Sequence, residues 1–349
     1  MGEVITIGVD IAKSVFQIHG VDADGVVVIR RRIGRARVLE FFAHLPPCRV
    51  GMEACATAHQ WARELAKLGH DTRLMPPTYV KAYVKRGKND AADAAAICEA
   101  VTRPSMRFVP IKSVEQQSML MLHRVRDLLI RQRTQLTNAL RAHLAELGLV
   151  AAKGREGLHQ LAAVVTECGN ERLPREARFA CQSILTQLHS VQIEISGLDK
   201  RISQIHRANA ESKRLEAIPG FGVILSTAVA ATIADPKAFR TGRDFAAWIG
   251  LVPRQNSTGG KERLGSISKQ GDRYLRRLLV IGATSVINSA RARPYQYPWV
   301  IELLGRRPTK VVAVALANKM ARIAWAMLAK GERYRVPTRS GNTVVTAAA

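Results

Sequence analysis

Residues 4–10 read VITIGVD, an apolar run rich in β-branched residues that ends at Asp10. A second apolar run follows at 15–19, and the turn sequence DADG at 22–25 separates it from a third run at 26–29. Apolar runs of this length, bounded by turn residues, are typical of strands rather than helices. The chain is therefore predicted to begin with β-strands.

Strands and helices alternate beyond this segment. A further strand is predicted to end at Glu53, and the helix after it is expected to stop at Gly69, a residue suited to a left-handed cap. A basic stretch at 81–88 then leads into a helix that begins at Asn89. Alternation of this kind favours an α/β domain, which we assign to residues 1–112.

The middle of the chain has the apolar spacing of long paired helices. Seven apolar residues from Ile184 to Ile205 are spaced 4, 3, 4, 3, 4 and 3 apart, which is a heptad pattern, and a similar stripe runs from Leu122 to Leu147. Heptad spacing does not distinguish a hairpin within one subunit from a dimerisation arm. Residues 113–208 are therefore assigned to a helical, coiled-coil region with both pairings open.

The remainder is predicted to be a mainly helical domain at 209–335 and a flexible tail at 336–349. Between Arg254 and Arg277 the chain has seven Lys or Arg against two Asp or Glu. This loop also contains adjacent hydroxyl residues and paired glycines, so it is a candidate for binding or attacking a phosphate.

The overall composition indicates the class of partner. The chain has 349 residues with 53 Lys and Arg against 28 Asp and Glu, a formal net charge of +25, which points to nucleic acid. The most apolar stretch, 311–329, is interrupted by Asn318, Lys319 and Arg322, so no membrane span is expected. Five cysteines without C-x-x-C spacing argue against a disulfide framework and a zinc finger. We expect a cytoplasmic, nucleoid-associated protein without a membrane partner.

Four carboxylates stand at positions suited to metal binding. Asp10 and Glu53 end predicted strands, and Asp90 and Asp93 share one face at the start of a helix. Carboxylate oxygens are the ligands of one or two Mg²⁺ ions in phosphodiester chemistry. Alternatively, Asp10 is a turn residue, and Asp90 and Asp93 complement the helix dipole behind an Asn89 cap.

The basic loop and a glycine turn supply the other candidates. The hydroxyl of Ser257 or Thr258 could attack phosphorus or could only donate a hydrogen bond to a phosphate. The sequence IPGFG at 218–222 resembles the hairpin of a helix-hairpin-helix module, whose amides would bind a backbone phosphate, or is an ordinary helix-helix turn. The residues predicted to contact nucleic acid are Lys85, Arg86, Lys88, Gly220, Gly222, Arg254, Gly259, Gly260, Lys261, Lys269, Arg273, Arg276 and Arg277.

Five motifs in a fixed order resemble one family. They are GVDIAK at 8–13, GMEAC at 51–55, KNDAADA at 88–94, IPGFG at 218–222 and PRQNSTGGK at 253–261. Together they are similar to the DEDD transposases of the IS110 family, nearer its IS1111 branch. The resemblance spans almost the whole chain, from about residue 4 to residue 335.

The resemblance implies a fold and a chemistry. It implies an N-terminal RuvC-like (RNase H-like) nuclease domain, a coiled-coil linker and a C-terminal transposase domain with a nucleophilic serine. The acidic tetrad of the family maps onto Asp10, Glu53, Asp90 and Asp93, which would hold Mg²⁺, with Mn²⁺ as the alternative ion. Ser257 is preferred as the nucleophile over Thr258, whose β-methyl group crowds the approach.

The resemblance also implies partners. A noncoding bridge RNA would pair with donor and target DNA, and a dimer or tetramer of the protein would cut and exchange strands. Two alternatives remain: a RuvC-like nuclease or Holliday-junction resolvase that uses water as the nucleophile, and a noncatalytic protein that binds RNA or DNA. The ordered tetrad argues against the noncatalytic protein, and the basic Ser-Thr-Gly-Gly-Lys loop argues against the plain nuclease.

Overall fold

The computed structural model describes residues 2–84, 89–167 and 172–335. The predicted contacts at Lys85, Arg86 and Lys88 and the predicted tail at 336–349 lie outside the described residues. The chain divides into two compact units. Unit 1 comprises Met1–Ser113 with Ala234–Ala238, and unit 2 comprises Val114–Ile233 with Phe239–Ala349. These are units of packing, and the three functional domains assigned from the sequence stay a prediction.

Unit 1 is built on a mixed five-stranded sheet with the order β3-β2-β1-β4-β5. The strands β1, β4 and β5 are parallel, whereas β2 is antiparallel to both β1 and β3. The strands and helices are β1 Thr6–Ile11, β2 Val15–Val21, β3 Val27–Gly34, α1 Val38–Ala43, β4 Arg49–Glu53, α2 Ala58–Lys67, β5 Asp71–Met75, α3 Pro77–Val80 and α4 Asp90–Val101. The predicted N-terminal strands are confirmed, and the mixed α/β architecture is consistent with a RuvC-like transposase domain.

Helices cover both faces of this sheet. Ile7 and Val9 of β1 pack in the same core cluster as Trp61 and Leu65 of α2. Because side chains alternate along a strand, Gly8 points to the opposite face, where α4 packs. Cys98 of α4 extends this contact, since its thiol donates to the carbonyl of Thr6 at 3.6 Å.

Glycine is required where α4 meets the sheet. Gly8 of β1 and Gly51 of β4 are register partners on adjacent parallel strands. A Cβ atom at Gly8 would overlap the carbonyl oxygen of Ala94 and the backbone nitrogen of Cys98, and one at Gly51 would lie 2.8 Å from Cβ of Val101. The missing side chains therefore let the backbone of α4 lie directly on the sheet.

Unit 2 is mainly helical. Its elements are α5 Val114–Ala145, α6 Arg155–Thr166, α7 Arg175–Ala208, α8 Ala210–Glu216, α9 Val223–Thr232, α10 Gly242–Ile249, β6 Pro253–Gln255, β7 Leu264–Ile267, α11 Arg273–Ala292, α12 Pro298–Arg306 and α13 Thr309–Lys330. The long helices α5 and α7 pair within the chain. Their ion pair Arg126–Asp199 (2.5 Å) and the hydrogen bond from Arg133 to Gln192 (3.0 Å) define an antiparallel arrangement.

The heptad residues take part in this intrachain packing. Leu188 on α7 shares a core cluster with Leu140 and Leu144 on α5. Ile195 and Ile202 of the same seam are also buried. The two heptad helices therefore pair as an antiparallel hairpin within one chain. Their use as a dimerisation arm stays a prediction.

The other core of unit 2 surrounds α13. By length and apolar composition alone, α13 is the one helix among the described residues that could cross a membrane. Its residues Val312, Leu316, Met320 and Ala324, spaced four apart, are buried in the cluster formed with α9, α10 and α11. This spacing is typical of a core helix that packs one face against its neighbours.

A buried polar network joins α5, α9 and α11. Thr227 donates its hydroxyl proton to the carbonyl of Val223 at 2.7 Å, so its oxygen is left to accept from Nε2 of His123 at 3.1 Å. Nδ1 of His123 then accepts from the Tyr274 hydroxyl at 3.0 Å. Burial lowers the pKa of His123 to about 4 and raises the pKa of Tyr274 to about 12, so both side chains are neutral at pH 7.

We expect Gly8→Ala to destabilise the protein by about 3 kcal/mol, because the new methyl group collides with the backbone of α4. The matched control is Gly34→Ala at the end of β3, where a Cβ meets nothing within 4 Å. That control should change stability by no more than about 0.5 kcal/mol. Urea unfolding followed by circular dichroism measures both, and equal stability of the two variants would contradict the close contact.

We expect stability to fall as the pH is lowered from about 6.5 to about 4. Unfolded His123 binds a proton in this window, whereas the buried side chain in the folded chain stays neutral until about pH 4. The effect amounts to about 3 kcal/mol. Unfolding free energies of the wild type, His123→Gln and the exposed control His143→Gln, measured across this range, test it. His123→Gln should flatten the pH dependence and His143→Gln should not.

Candidate active site

The strand-borne carboxylates lie at one edge of the sheet. The strands β1 and β4 are parallel, and Val9 pairs with Met52 in their register. Asp10 and Glu53 each follow this pair by one residue, so both stand at the carboxyl ends of adjacent strands. Each also lies two residues beyond the glycine of its strand, and alternation places both side chains on the face covered by α4.

The helix-borne carboxylates are directed to the same place. The side chain of Asn89 caps α4 by accepting from the amides of Ala91 at 2.8 Å and Ala92 at 3.0 Å. Asp90 precedes Ala94, which covers Gly8, by four residues and therefore shares its helix face. Asp93 lies three residues from Asp90 on the same face. The contact of α4 with the sheet thus brings its first turn to the edge that carries Asp10 and Glu53.

The strand-borne carboxylates interact electrostatically with their acidic neighbours. Burial raises the pKa of Asp10, and the negative charges of Asp93 and Asp90 raise it further. Burial likewise raises the pKa of Glu53, followed by repulsion from Asp10 and Asp93. Like charges raise a carboxyl pKa only when they are near, so Asp10 lies near Asp90 and Asp93, and Glu53 lies near Asp10 and Asp93.

Carboxylate oxygens in mutual repulsion fit a hard divalent cation, whose charge would relieve that repulsion. Within the residues that the structure describes, no three His, Cys, Asp or Glu side chains are already grouped around one point as metal ligands. The four acids are nonetheless donors of the type that such a cation takes, and the Asn89 cap positions the helix turn that carries two of them. The interpretation of Asp90 and Asp93 as helix-start acids is compatible with the same geometry.

The serine loop is a β-hairpin formed by β6 and β7. Thr258 pairs with Lys261 across a two-residue turn, and the Lys261 amide donates to the Thr258 carbonyl at 3.1 Å. Gly259 and Gly260 have φ values of 55° and 77°, and positive φ at both central positions is the mark of a type I′ turn. The paired glycines are thus explained by the turn, without the close approach to a ligand inferred from the sequence.

The two candidate nucleophiles differ in their surroundings. Ser257 is half-buried, and its Oγ accepts from the Arg263 amide at 3.3 Å, which holds the side chain in place. Thr258 is exposed at the tip of the hairpin. Among the described residues, no side-chain base is hydrogen-bonded to the Ser257 hydroxyl.

The predicted nucleic-acid contacts in this region divide into two groups. Arg276 donates at 2.6 Å to the carbonyl oxygens of both Ile249 and Gln270, and Arg254 donates to that of Ser268 at 3.2 Å. Arg277 forms an ion pair with Asp127. By contrast, the exposed cations that remain are Lys261, Lys269 and Arg273. The first group makes contacts within unit 2 that the sequence did not reveal, and the members of both groups stay predicted nucleic-acid contacts.

The IPGFG turn is explained in part by packing. Gly220 has a φ of 87°, and a Cβ there would lie 2.7 Å from the carbonyl oxygen of Gly282 on α11. Gly220 is therefore needed for the turn and for its contact with α11. Gly222 is exposed at the start of α9 with open space around it, so it stays a predicted phosphate contact.

The structural role of the glycines before the strand-end acids was missed from the sequence. Gly8 and Gly51 each stand two residues before an acid at the end of a strand. This repeated Gly-x-acid pattern, on two strands that prove to be neighbours, was a usable signal. It marks the face against which the helix carrying the other two acids packs.

Comparisons with known proteins identify the family. The family model described as "Transposase IS116/IS110/IS902 family" matches residues 212–297, and a model of DEDD transposases of the IS110 type matches residues 7–148. A probable family 20 transposase of Pseudomonas aeruginosa is 51% identical over 331 residues, covering 94% of this chain and 98% of the relative.

Two relatives come from named insertion sequences. The transposase of IS1328 from Yersinia enterocolitica is 42% identical and covers 95% of this chain and 98% of its own length. The transposase of IS1111A from Coxiella burnetii is 38% identical, with coverages of 96% and 92%. Identity of this extent over nearly the full length, together with both family models, shows that this chain belongs to the IS110/IS116/IS902 family of DEDD transposases, which act on DNA.

Proposed function

We propose that this transposase cuts and rejoins DNA strands through a covalent serine–DNA intermediate, with Asp10, Glu53, Asp90 and Asp93 as ligands of Mg²⁺. The observation that carries the proposal is the position of Asp10 and Glu53 at the ends of adjacent parallel strands, on the face against which the helix carrying Asp90 and Asp93 packs. Carboxylates gathered against their mutual repulsion are characteristic of a functional site rather than of a stabilising one.

The tetrad supplies the electrostatic part of the chemistry. When bound, Mg²⁺ (or Mn²⁺) would polarise the scissile phosphate and stabilise the charge that develops on its oxygens. The strands β1 and β4 hold Asp10 and Glu53 rigidly, and α4 holds Asp90 and Asp93. Because all four side chains are on regular elements, their positions depend little on loop motion.

Ser257 supplies the nucleophile in this proposal. Its Oγ attacks the scissile phosphorus and loses its proton, a serine–phosphate ester forms, and the bond to the leaving strand breaks as that strand takes up a proton. The ester keeps the phosphodiester energy, so the hydroxyl of another strand can displace Ser257 and reseal the DNA. The amide of Arg263, which donates to Oγ, orients the side chain for this attack.

The proposed partners follow from charge and from the family resemblance. A noncoding bridge RNA would pair with donor and target DNA, and the protein would bind phosphates through exposed cations. The net charge of +25 supports such a polyanionic assembly. The functional domains would be the RuvC-like domain at 1–112, the coiled coil at 113–208 and the transposase domain at 209–335, working as a dimer or tetramer in the bacterial nucleoid.

A second candidate function is a RuvC-like nuclease or Holliday-junction resolvase with water as the nucleophile. It is favoured by the lack, among the described residues, of a side-chain base on the Ser257 hydroxyl. In that reaction the tetrad would be sufficient, and the hairpin of unit 2 would only bind phosphate.

Replacing Asp10 by Asn tests the tetrad. The rate of metal-dependent DNA cleavage should fall by about a hundredfold or more. The substitution removes one charged metal ligand, and with it several kcal/mol of transition-state stabilisation. Thermal stability without metal should not fall, because repulsion with Asp90 and Asp93 is relieved. Asp24→Asn, in an exposed turn, is the control. If Asp10→Asn cleaves DNA at the same rate as the wild type, the tetrad has no part in the mechanism.

Replacing Ser257 by Ala tests the intermediate. We expect the wild type and the exposed control Ser266→Ala to yield protein-linked DNA after denaturing lysis, with the remnant located on Ser257 by mass spectrometry. Ser257→Ala should yield none, because the attacking oxygen is gone. If the protein–DNA linkage is lost only in Thr258→Ala, the nucleophile is Thr258 instead of Ser257. Metal-dependent cleavage by the wild type without any linkage would establish the water mechanism instead.

A further inference from the structure

A small pocket lies on unit 1 beside the helix that carries Asp90 and Asp93. It is formed by α3, the 3₁₀ turn Lys81–Tyr83 and the segment after α4, and its volume is about 280 Å³. The lining residues used below are Thr78, Tyr79, Tyr83, Ser105, Met106 and Arg107. A pocket near the lower end of the range for small-ligand sites suits one planar ring better than a duplex.

Two tyrosines line this pocket in a chain with only 5% aromatic residues. Tyr79 is 47% exposed, so its ring is available to a ligand. Tyr83 is half-buried against the core cluster that includes Ile97 and Val101 of α4. The guanidinium of Arg103 lies over the Tyr83 ring at 5.9 Å. Tyr83 is held against the core and Tyr79 beside it is exposed. The two rings therefore form a surface on which a base can stack.

The charge at this pocket is positive. Arg107 lines it and is exposed, and no ion pair of Arg107 occurs within the described residues. Lys81 is likewise exposed on the adjoining turn. Arg103, in contrast, is paired with Glu99 at 2.5 Å. The side-chain hydroxyls of Thr78 and Ser105 add hydrogen-bonding groups at the rim. A stacking surface next to an unpaired cation matches a nucleotide, which has a flat base and a charged phosphate.

The position of the pocket relates it to the carboxylates of the same unit. Tyr83 and Met106 pack on residues at the C-terminal half of α4, whereas Asp90 and Asp93 stand at its start. From Asp93 to Val101 the helix rises about 12 Å, at about 1.5 Å per residue. Successive bases of one strand are about 3.4 Å apart, so this length corresponds to a few nucleotides.

We propose that this pocket binds an unpaired base of a single-stranded DNA segment a few nucleotides from the phosphate held at the tetrad. The base stacks on Tyr79, and Arg107 pairs with a neighbouring phosphate. Bases inside a duplex have no free face, so the strand must be unpaired at this point. The proposal rests on the proposed function of the tetrad in binding DNA and does not depend on the serine intermediate.

The test is binding of a short single-stranded DNA by the full-length protein in EDTA, where metal-dependent cleavage is off. One base is replaced by 2-aminopurine, whose fluorescence is quenched by stacking. We expect Tyr79→Ala to weaken binding about fivefold to about a hundredfold and to abolish the quenching, whereas Tyr79→Phe keeps both because its ring remains. Arg107→Gln should reduce the slope of log affinity against log salt by about 0.7.

The matched control is Tyr295→Ala, which removes an exposed tyrosine (74%) from unit 2 and should bind as the wild type does. Circular dichroism and thermal unfolding verify that Tyr79→Ala is folded. Unaltered single-strand binding by Tyr79→Ala would overturn the proposal. The proposal would also be overturned if Tyr79→Ala weakened duplex binding to the same extent. Weaker binding by Tyr79→Ala of RNA of the same sequence, but not of DNA, would overturn it too. Because the assay is read as binding in EDTA, where metal-dependent cleavage is off, its outcome is separate from that of the cleavage proposal.

Discussion

The close approach of α4 to the sheet is the contact on which unit 1 depends. Two side chains are missing at the paired positions Gly8 and Gly51, and the backbone of α4 occupies the space that they would fill. This contact determines where the first turn of the helix lies. A methyl group at either glycine would displace α4, so packing at the glycines affects the position of Asp90 and Asp93 relative to Asp10 and Glu53.

The carboxylate cluster costs stability, and the local structure offsets part of that cost. Asp10 and Glu53 are partly buried and repelled by their neighbours, which raises the pKa of each. Asp90 and Asp93 stand in the first turn of α4, where the helix dipole favours negative charge. The helix-start role of these two residues and their proposed role as metal ligands are therefore not alternatives. The same geometry serves both.

Formal charge and local function are only loosely related in unit 2. Arg276, Arg277 and Arg254 belong to a basic segment, yet each donates to a group of its own chain. Lys261 and Lys269 on the same segment are exposed. Sequence reasoning assigned all five to nucleic acid because spacing along the chain carries no information about which backbone carbonyls a loop leaves unpaired. Those carbonyls are created by the fold, and arginine satisfies them well through its several donors.

The sequence by itself determined the N-terminal strands, the Asn89 cap and the heptad helices, because these depend on local patterns of apolar, capping and turn residues. The ordered motifs also determined the family. Only the tertiary structure decided that Gly8 and Gly51 are neighbours, that the heptads of α7 pair with α5 in the same chain, and that His123 is buried against Tyr274. These relations join residues far apart in the chain, and such contacts are set by how whole elements pack rather than by any local pattern.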